Sequence, residues 1–524
     1  MDRMQPILAA PGHAAGASPF VDRQRAPHFA LRYSIKPARK PGLFSASRYA
    51  WGIKGELSFS DHDMILRRSD NGAQRSIPGD QIFDIAVADQ TLSFDVHTEH
   101  GEVERVVLSL RSIEDMRGIV ELMPVRMTPE FAAARVALNT FKDRLAAVTP
   151  STWVTHTLIS LNVLVFLAMA VTGAGLLRVN TLSALAWGSN LAGFTLDGEP
   201  WRLLTAAFVH FGLMHLFSNM IVLYALGRTT ERLYGNLRFL ALYVFAGLTG
   251  SIGSLLAHPA LNSAGASGAI FGVAGGLLVF VLRFGRELPP SIAARNRTAM
   301  WAFILFNLYG GLHQHAATGQ VIDNAAHVGG LLGGMLIGVL LARPLDMQAR
   351  AQHSRRSAIV SWVAACVTLA ALSYPLLHFS AEKREEIAFS RVLADVSAAQ
   401  RTARADQLEF SHMRLRSQLE RDALSNRLIV EAVPQWDALH AAVENTKLPA
   451  GSPREPFRQA LLRYLDDNRQ LDRSVALILS HTKDVDAETL APIRALISDA
   501  HVQADLMKKL GPKLYAEQNA VPVL

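Results

Sequence analysis

The chain has 524 residues, half of them hydrophobic, and a formal net charge of +7. That length allows several domains, and its single cysteine, Cys366, excludes an intrachain disulfide framework. The positive charge does not point to nucleic acid, because many basic residues sit in short loops between apolar runs, where they orient membrane helices.

The apolar residues concentrate between Trp153 and Phe379, in runs of membrane-spanning length. The flanks, roughly 1–150 and 380–524, have ordinary soluble composition. Residues 1–27 read as a disordered tail rich in Ala, Pro, Gly and His. The tail lacks a continuous apolar core, so it does not read as a cleaved signal peptide, and the first membrane helix is expected to direct insertion.

Residues 28–126 read as a soluble β-rich domain. Short alternating stretches recur at Gly55–Phe59, Met64–Arg67, Ile82–Ala86, Leu92–Val96 and Val103–Leu110, separated by turn clusters such as Ser69–Gly72 and His97–Gly101. That spacing predicts a small antiparallel sheet or barrel. Ser112 followed by Glu114 and Asp115 predicts a capped helix over 112–123. Strands closed by one helix resemble a pleckstrin-homology-like barrel. Residues 127–150 read as an amphipathic connecting helix.

Seven apolar segments follow, at 154–173, 203–226, 238–257, 266–283, 299–315, 325–342 and 358–379. The fifth is interrupted by Gly310, Gly311, His313 and His315. Arg228, Arg232 and Arg238 follow the second segment. Arg283, Arg286, Arg295 and Arg297 separate the fourth from the fifth, and Arg343, Arg350, Arg355 and Arg356 the sixth from the seventh. The positive-inside rule then sets the N-terminus in the cytoplasm and the C-terminus outside. Residues 381–524 are charged and helical in pattern, with breaks expected at Pro434 and around 449–453. Leu461, Leu462, Tyr464, Leu465 and Leu471 mark the apolar face of a helical bundle. The charges of that domain read as a solvated face, and the domain is free to take a protein partner.

Three features carry chemistry. Ser267 stands between Gly265 and Gly268 where an apolar helix begins. The glycines let backbone approach a substrate closely, and the unpaired N–H groups of a helix start face developing negative charge. Alone, such a serine reads more simply as a helix cap. His327 opens the sixth segment, and an ionisable side chain in a membrane helix is a functional candidate by default. Gly330 and Gly334 form a Gly-x-x-x-Gly step beside it, which permits close helix packing. A serine and a histidine brought together in this way make a nucleophile and its general base. His215 and Asn219 share a face of the second segment. They suit an oxyanion hole with the Ser267 N–H, or a plain interhelical hydrogen bond.

Taken in order along 151–343, these residues resemble the rhomboid intramembrane serine proteases. The resemblance also includes Gly188-Ser189-Asn190, Trp201-Arg202, His210 and Glu231 through Gly235. It implies a six-helix core over 151–343, with a loop and a seventh transmembrane helix over 344–380. It further implies Ser267 as nucleophile, His327 as base, and His215 with Asn219 as oxyanion stabilisers. The dyad has no acidic third member, and neither cofactor nor metal is expected. Phe271 stands where the family often has a tyrosine against the histidine. The polar loop ends and His210 line the implied water route. The implied substrates are transmembrane segments of other proteins that unwind locally, met within the lipid bilayer of a bacterial inner membrane. A rhomboid-like binding factor without activity is the rival reading, although such proteins usually lose the serine or the histidine. A transporter would show an inverted repeat, and none is visible.

Overall fold

The computed structural model of the protein describes residues 28–37, 52–88, 90–124, 126–289, 292, 298, 300–305, 307, 309, 322–352, 355–411, 417–448, 451–452, 454–481 and 490–515. The tail expected over 1–27, and Gly310, Gly311, His313 and His315, lie outside them. The chain divides into two compact units, Met1–Lys142 and Asp143–Leu524.

The first unit is a seven-stranded antiparallel sheet. Its strands are β1 (Phe29–Pro37), β2 (Ile53–Phe59), β3 (Asp63–Arg68), β4 (Gln74–Pro78), β5 (Ile82–Ala88), β6 (Thr91–His97) and β7 (Val103–Leu110), in the order β4-β3-β2-β1-β7-β6-β5. Alternation sends one face inward: Leu57 lies opposite Leu66 and Phe59 opposite Met64, all four buried. The expected helix is α1 (Ile113–Leu122). Its Ser112 cap accepts the Asp115 N–H, and Met116, Ile119 and Val120 enter the core. Asp84 adopts a positive φ of 58° at a bulge in β5. Its carboxylate accepts both the N–H and the hydroxyl of Thr128 at 2.7 Å, which fastens the exit from the domain. Strands β1 and β4 are additions to the sequence reading. The second has a single apolar residue, Ile77, too little to show a period.

Helix α2 (Pro129–Val148) lies within the 127–150 segment. Helix α3 (Trp153–Val171) begins on a buried acid. The fully buried Glu231 carboxylate accepts the Val154 N–H (2.9 Å), the Thr155 N–H (2.8 Å) and the Thr155 hydroxyl (2.6 Å). A carboxylate there satisfies first-turn donors and complements the helix dipole. The loop that follows carries the short helices α4 (Thr181–Ala186), α5 (Ala192–Thr195) and α6 (Arg202–Thr205).

The second apolar run is not one helix. Arg202–Phe208 lies at 93° to Leu213–Tyr234, so only the later part crosses the bundle. The corner is Gly212, with φ +154°, where a Cβ would overlap the Leu177 carbonyl oxygen. Hydropathy registers the apolar character of 203–208 but not its direction. The crossing part is α7 (Leu213–Val222), a π turn at Leu223–Gly227, and α8 (Arg228–Tyr234).

Helices α9 (Asn236–Ala257), α10 (Ser267–Phe284) and α11 (Asn324–Leu341) follow. Among the described residues, α3, α9, α10 and α11 are long and apolar enough to cross a membrane, and the bent pair adds a fifth span if counted as one. Short helix α12 (Met347–Ala351) precedes α13 (Arg355–Leu377), whose apolar part, Trp362–Leu377, is shorter than the other spans.

The C-terminal region contains α14 (Ala381–Ser411), α15 (Gln418–Arg427), α16 (Val433–Asn445), α17 (Glu455–His481) and α18 (Ala491–Tyr515). Phe389, Trp436, Phe457, Leu461 and Leu465 share its core. Pro434 does not break the helix as expected. It sits in the first turn of α16, directly after a π turn at Leu428–Ala432 that absorbs the missing proline N–H. The expected break at 449–453 carries Gly451 at φ +78°. Helix α14 also packs against the transmembrane bundle and its first loop. Its Ile387 packs with Ala192, Ile252 and Leu255, and its Ala394 with Leu185 and Leu191.

Candidate active site

Ser267 is the first helical residue of α10. Gly265 enters the turn at φ +121°, a conformation that only glycine adopts without strain, and its N–H donates to the Ala206 carbonyl at 2.8 Å. The Ala266 N–H points to His210 Nε2 at 3.5 Å. The N–H groups of Ser267 and Gly268 belong to the first turn, where a helix offers no acceptor of its own.

His327 lies in the first turn of α11, which is capped by Asp323 through a 2.9 Å hydrogen bond from the Ala326 N–H. His327 Nε2 and Ser267 Oγ are 2.9 Å apart. The helices come this close because they touch backbone to backbone. A Cβ on Gly330 would overlap the Gly268 carbonyl oxygen, and one on Gly334 the Gly272 backbone. One turn further, a Cβ on Gly338 would stand 3.0 Å from the Gly276 Cα. Helix α9 closes on the other side, where a Cβ on Gly250 would stand 2.9 Å from the Ala326 carbonyl oxygen. Here helix packing itself sets the distance between the two side chains.

The Phe271 ring stacks on the His327 imidazole, with centroids 4.3 Å apart and an 11° interplanar angle. The aromatic contact expected at this position is present without a phenolic hydroxyl. Phe271 also meets Phe303, which makes that wall of the site apolar.

His215 and Asn219 come from α7 and face the serine turn. A Cβ on Gly265 would lie 2.8 Å from His215 Nε2 and 3.7 Å from Asn219 Nδ2. The Phe211 N–H points at His215 Nδ1 (3.4 Å). A neutral imidazole that accepts at Nδ1 carries its proton at Nε2, so His215 turns a donor toward Gly265. Asn219 Nδ2 spends one hydrogen on the His215 carbonyl (3.0 Å) and keeps its second. Ser267, His327, His215, Asn219, Gly265, Gly268 and Gly330 therefore meet at the entry to α10, with Phe271 one turn in and Gly334 against Gly272 beyond it.

His210 departs from expectation. It is fully buried rather than lining an open route, and its ring meets the His215 ring edge-on at 5.1 Å. The sequence reading also does not single out Asp323, although an acid placed before an apolar run is a helix-start signal.

The chain was compared with known proteins. Residues 197–344 match the model of the Rhomboid domain. Rhomboid protease GluP of Bacillus subtilis is 37% identical over 190 residues, which cover 36% of this chain and 35% of the relative. RHOMBOID-like protein 5 of Arabidopsis thaliana is 38% identical over 151 residues, 28% of this chain and 46% of the relative. Putative rhomboid protease YdcA of Bacillus subtilis is 33% identical over 162 residues, 30% of this chain but 77% of the relative. The chain belongs to the rhomboid family. It is an integral membrane protein with several apolar spans. It spans about a third to a half of the length of GluP and of RHOMBOID-like protein 5. The matched region contains His210, His215, Asn219, Glu231, Ser267 and His327.

Proposed function

We propose that the protein is an intramembrane serine endopeptidase that cleaves transmembrane segments of membrane proteins. The observation that carries this reading is the 2.9 Å contact between His327 Nε2 and Ser267 Oγ. In this reading neutral His327 takes the Ser267 proton as Oγ attacks a substrate carbonyl. The oxyanion is held by the Ser267 N–H with His215 Nε2 and Asn219 Nδ2, which face the same turn. His327 then returns its proton to the leaving amine, and a water activated by the same imidazole releases the acyl enzyme.

A folded helix hides its scissile bonds, so the favoured substrates contain small or helix-breaking residues near the cut. The membrane is a bacterial inner membrane, with the N-terminal sheet domain in the cytoplasm and the C-terminal helices outside, as the basic loops indicate. The contacts of α14 with the loop between α3 and α7 are consistent with that domain sharing a side with Ser267.

The test is a fluorophosphonate probe on the purified protein, run beside cleavage of a model transmembrane substrate. Ser267→Ala and His327→Ala should each lower turnover by a factor on the order of 10⁴ or more while the protein still folds. Probe labelling should require Ser267. A folded wild type that neither labels nor cleaves would instead favour a silent membrane-protein binder.

A further inference from the structure

The end of the bundle opposite Ser267 gathers arginines where the chain supplies few acids. Helix α10 rises roughly 25 Å from Ser267 to Phe284, so this end lies far from the dyad. There Gly235 joins α8 to α9, and Arg238 stands in the first turn of α9. Arg343 and Pro344 follow the end of α11, and Arg350 lies on α12. The Arg350 guanidinium ties these segments together. Its Nη2 donates to the Tyr234 carbonyl and its Nη1 to the Pro344 carbonyl, each at 3.0 Å. A Cβ on Gly235 would stand 3.8 Å from the same Nη2. The charges of Arg238 and Arg343 reach Arg350, and that of Arg343 reaches Arg238.

Three guanidiniums therefore face one carboxylate. Glu287 is the acid whose charge reaches Arg350, and its Oε2 already accepts the Leu345 N–H at 2.7 Å. Two other acids of this end are engaged elsewhere. Glu231 holds the start of α3, and Asp346 caps α12 through the Ala349 N–H at 2.9 Å. Basic loop residues that only orient a membrane helix stay in water. These do not: Arg343 is 6% exposed and Arg238 is half-buried. Among the described residues the Arg238 guanidinium has no hydrogen-bond partner. Burial and the two neighbouring arginines push the Arg350 guanidinium down to about 10. Cations drawn out of water with too few carboxylates to meet them call for another anion.

The surroundings say which anion. Leu237, next to Arg238, is exposed, and so are Met347 on α12, Leu282 and Val339 at the same end. In a bilayer such side chains meet acyl chains, from which a free phosphate gains nothing. We propose that Arg238, Arg343 and Arg350 form a headgroup site for an anionic phospholipid, whose acyl chains run along Leu237 and its apolar neighbours. The guanidinium fork matches phosphate oxygens in pairs, and Arg350 keeps donors beyond the two it gives to carbonyls. A lipid bound there joins the turn between α8 and α9 to the exit of α11. The proposal does not depend on the proteolytic reading.

The test is native mass spectrometry of the detergent-solubilised full-length protein with added lipid, with thermal unfolding followed in parallel. Wild type should retain phosphatidylglycerol roughly 10-fold more strongly than phosphatidylcholine, and only the former should raise Tm. Arg238→Gln should cut that preference about 5-fold, the share of one basic residue at an anionic surface, with Tm in phosphatidylcholine unchanged. Arg238→Lys should keep most of the preference. Arg232→Gln removes an exposed charge from the same end, one that reaches neither Arg238 nor Arg350, and should bind lipid like wild type. Equal retention of the two lipids by the wild type would overturn the proposal. An Arg232→Gln loss as large as that of Arg238→Gln would also overturn it, because general surface attraction would then suffice. Displacement of the lipid by inorganic phosphate would do the same by marking a site for a free anion. The wild-type comparison and the phosphate competition need no variant, so the outcome does not hinge on how a variant folds.

Discussion

Two regions bring the Ser267 end of the bundle into register, and they use opposite means. The seam between α10 and α11 works by having no side chains. Gly268 with Gly330, Gly272 with Gly334 and Gly276 with Gly338 repeat at four-residue intervals, so the backbones touch over about two turns. The loop between α3 and α7 works through many buried side-chain bonds. Arg202 donates to the carbonyls of Leu185 (2.6 Å) and Ser189 (3.0 Å) and to Glu199 (2.7 Å). Asn190 donates to the Ser251 carbonyl at 3.0 Å and accepts the Thr195 hydroxyl at 2.8 Å. Backbone pairing of Asn190 with Ser263 ties the loop to the segment before Ser267. A seam of touching backbones has no freedom to yield, so it should fail all at once. A loop held by separate bonds should lose function in steps.

The largest expected effect tests the seam. Gly334→Leu places a side chain where the Gly272 backbone already stands. The helices must separate, and overpacking against backbone exceeds the usual 1–3 kcal/mol of a core overfill, so a loss of about 3 kcal/mol or more is expected. Turnover should vanish together with the cooperative melt, and Gly334→Ala should already fall well below wild type. A Gly334→Leu protein that cleaves and melts like wild type would end the argument from close packing.

How much of this is legible in the sequence follows from the same contrast. The α11 side of the seam is legible at Gly330 and Gly334, because a four-residue glycine step is a local pattern, and so is the aromatic one turn after Ser267; their partners Gly272 and Gly276 show only in the fold. Ser267 and His327 can be paired from their places at two helix starts, before any distance is known. The loop is less legible, because beside the nearby Glu199 and Thr195 the partners of Arg202 and Asn190 are backbone carbonyls with no residue signature, one of them 61 residues away. The corner at Gly212 is hidden for the same reason: the carbonyl that demands a glycine belongs to Leu177. Glu231 is conspicuous as an acid after an apolar run, but its role at the start of α3 is visible only in the fold, because Val154 lies 77 positions away. Pro434 misleads in the other direction. A proline predicts a break, and the preceding π turn removes the need for one.

A middle-sized effect tests the loop. Arg202→Ala takes the donor from the buried Ser189 carbonyl and leaves the Leu185 carbonyl with the Gly188 N–H alone, at a cost of roughly 1–3 kcal/mol of local stability. Because the remaining bonds persist, the bundle should still melt cooperatively. The loop itself should open, seen as faster hydrogen exchange over 185–199, with turnover down about tenfold. Arg202→Lys should rescue little, because one ammonium cannot reproduce the spread of a guanidinium fork. If Arg202→Ala instead abolishes the global melt, the loop and the seam are one cooperative unit and the contrast is wrong.

The smallest effect belongs to the outermost attachment. Arg391, on α14, donates to the Gly193 carbonyl at 3.3 Å and pairs with Asp197. Its guanidinium also lies 5.1 Å from the Phe194 ring centroid, while Arg202 lies 4.9 Å from the same ring. One aromatic ring thus links the buried arginine of the loop to the arginine of the C-terminal region. The Asp197 pair is exposed and contributes little, and a cation–π contact at such a site adds about 0.5–1 kcal/mol. The apolar contacts of Ile387 and Ala394 remain in its absence. Arg391→Ala should therefore leave Tm and the rate of fluorophosphonate labelling nearly unchanged. It should raise hydrogen exchange only over 192–197, and it should change the ratio of rates between two transmembrane substrates more than it changes either probe rate. Ile387→Asp sharpens the comparison, because it buries a charge against Ala192 and Leu255 and should release α14 from the loop. If Arg391→Ala slows probe labelling as much as Arg202→Ala does, the C-terminal helix acts on Ser267 itself rather than on the approach of substrate.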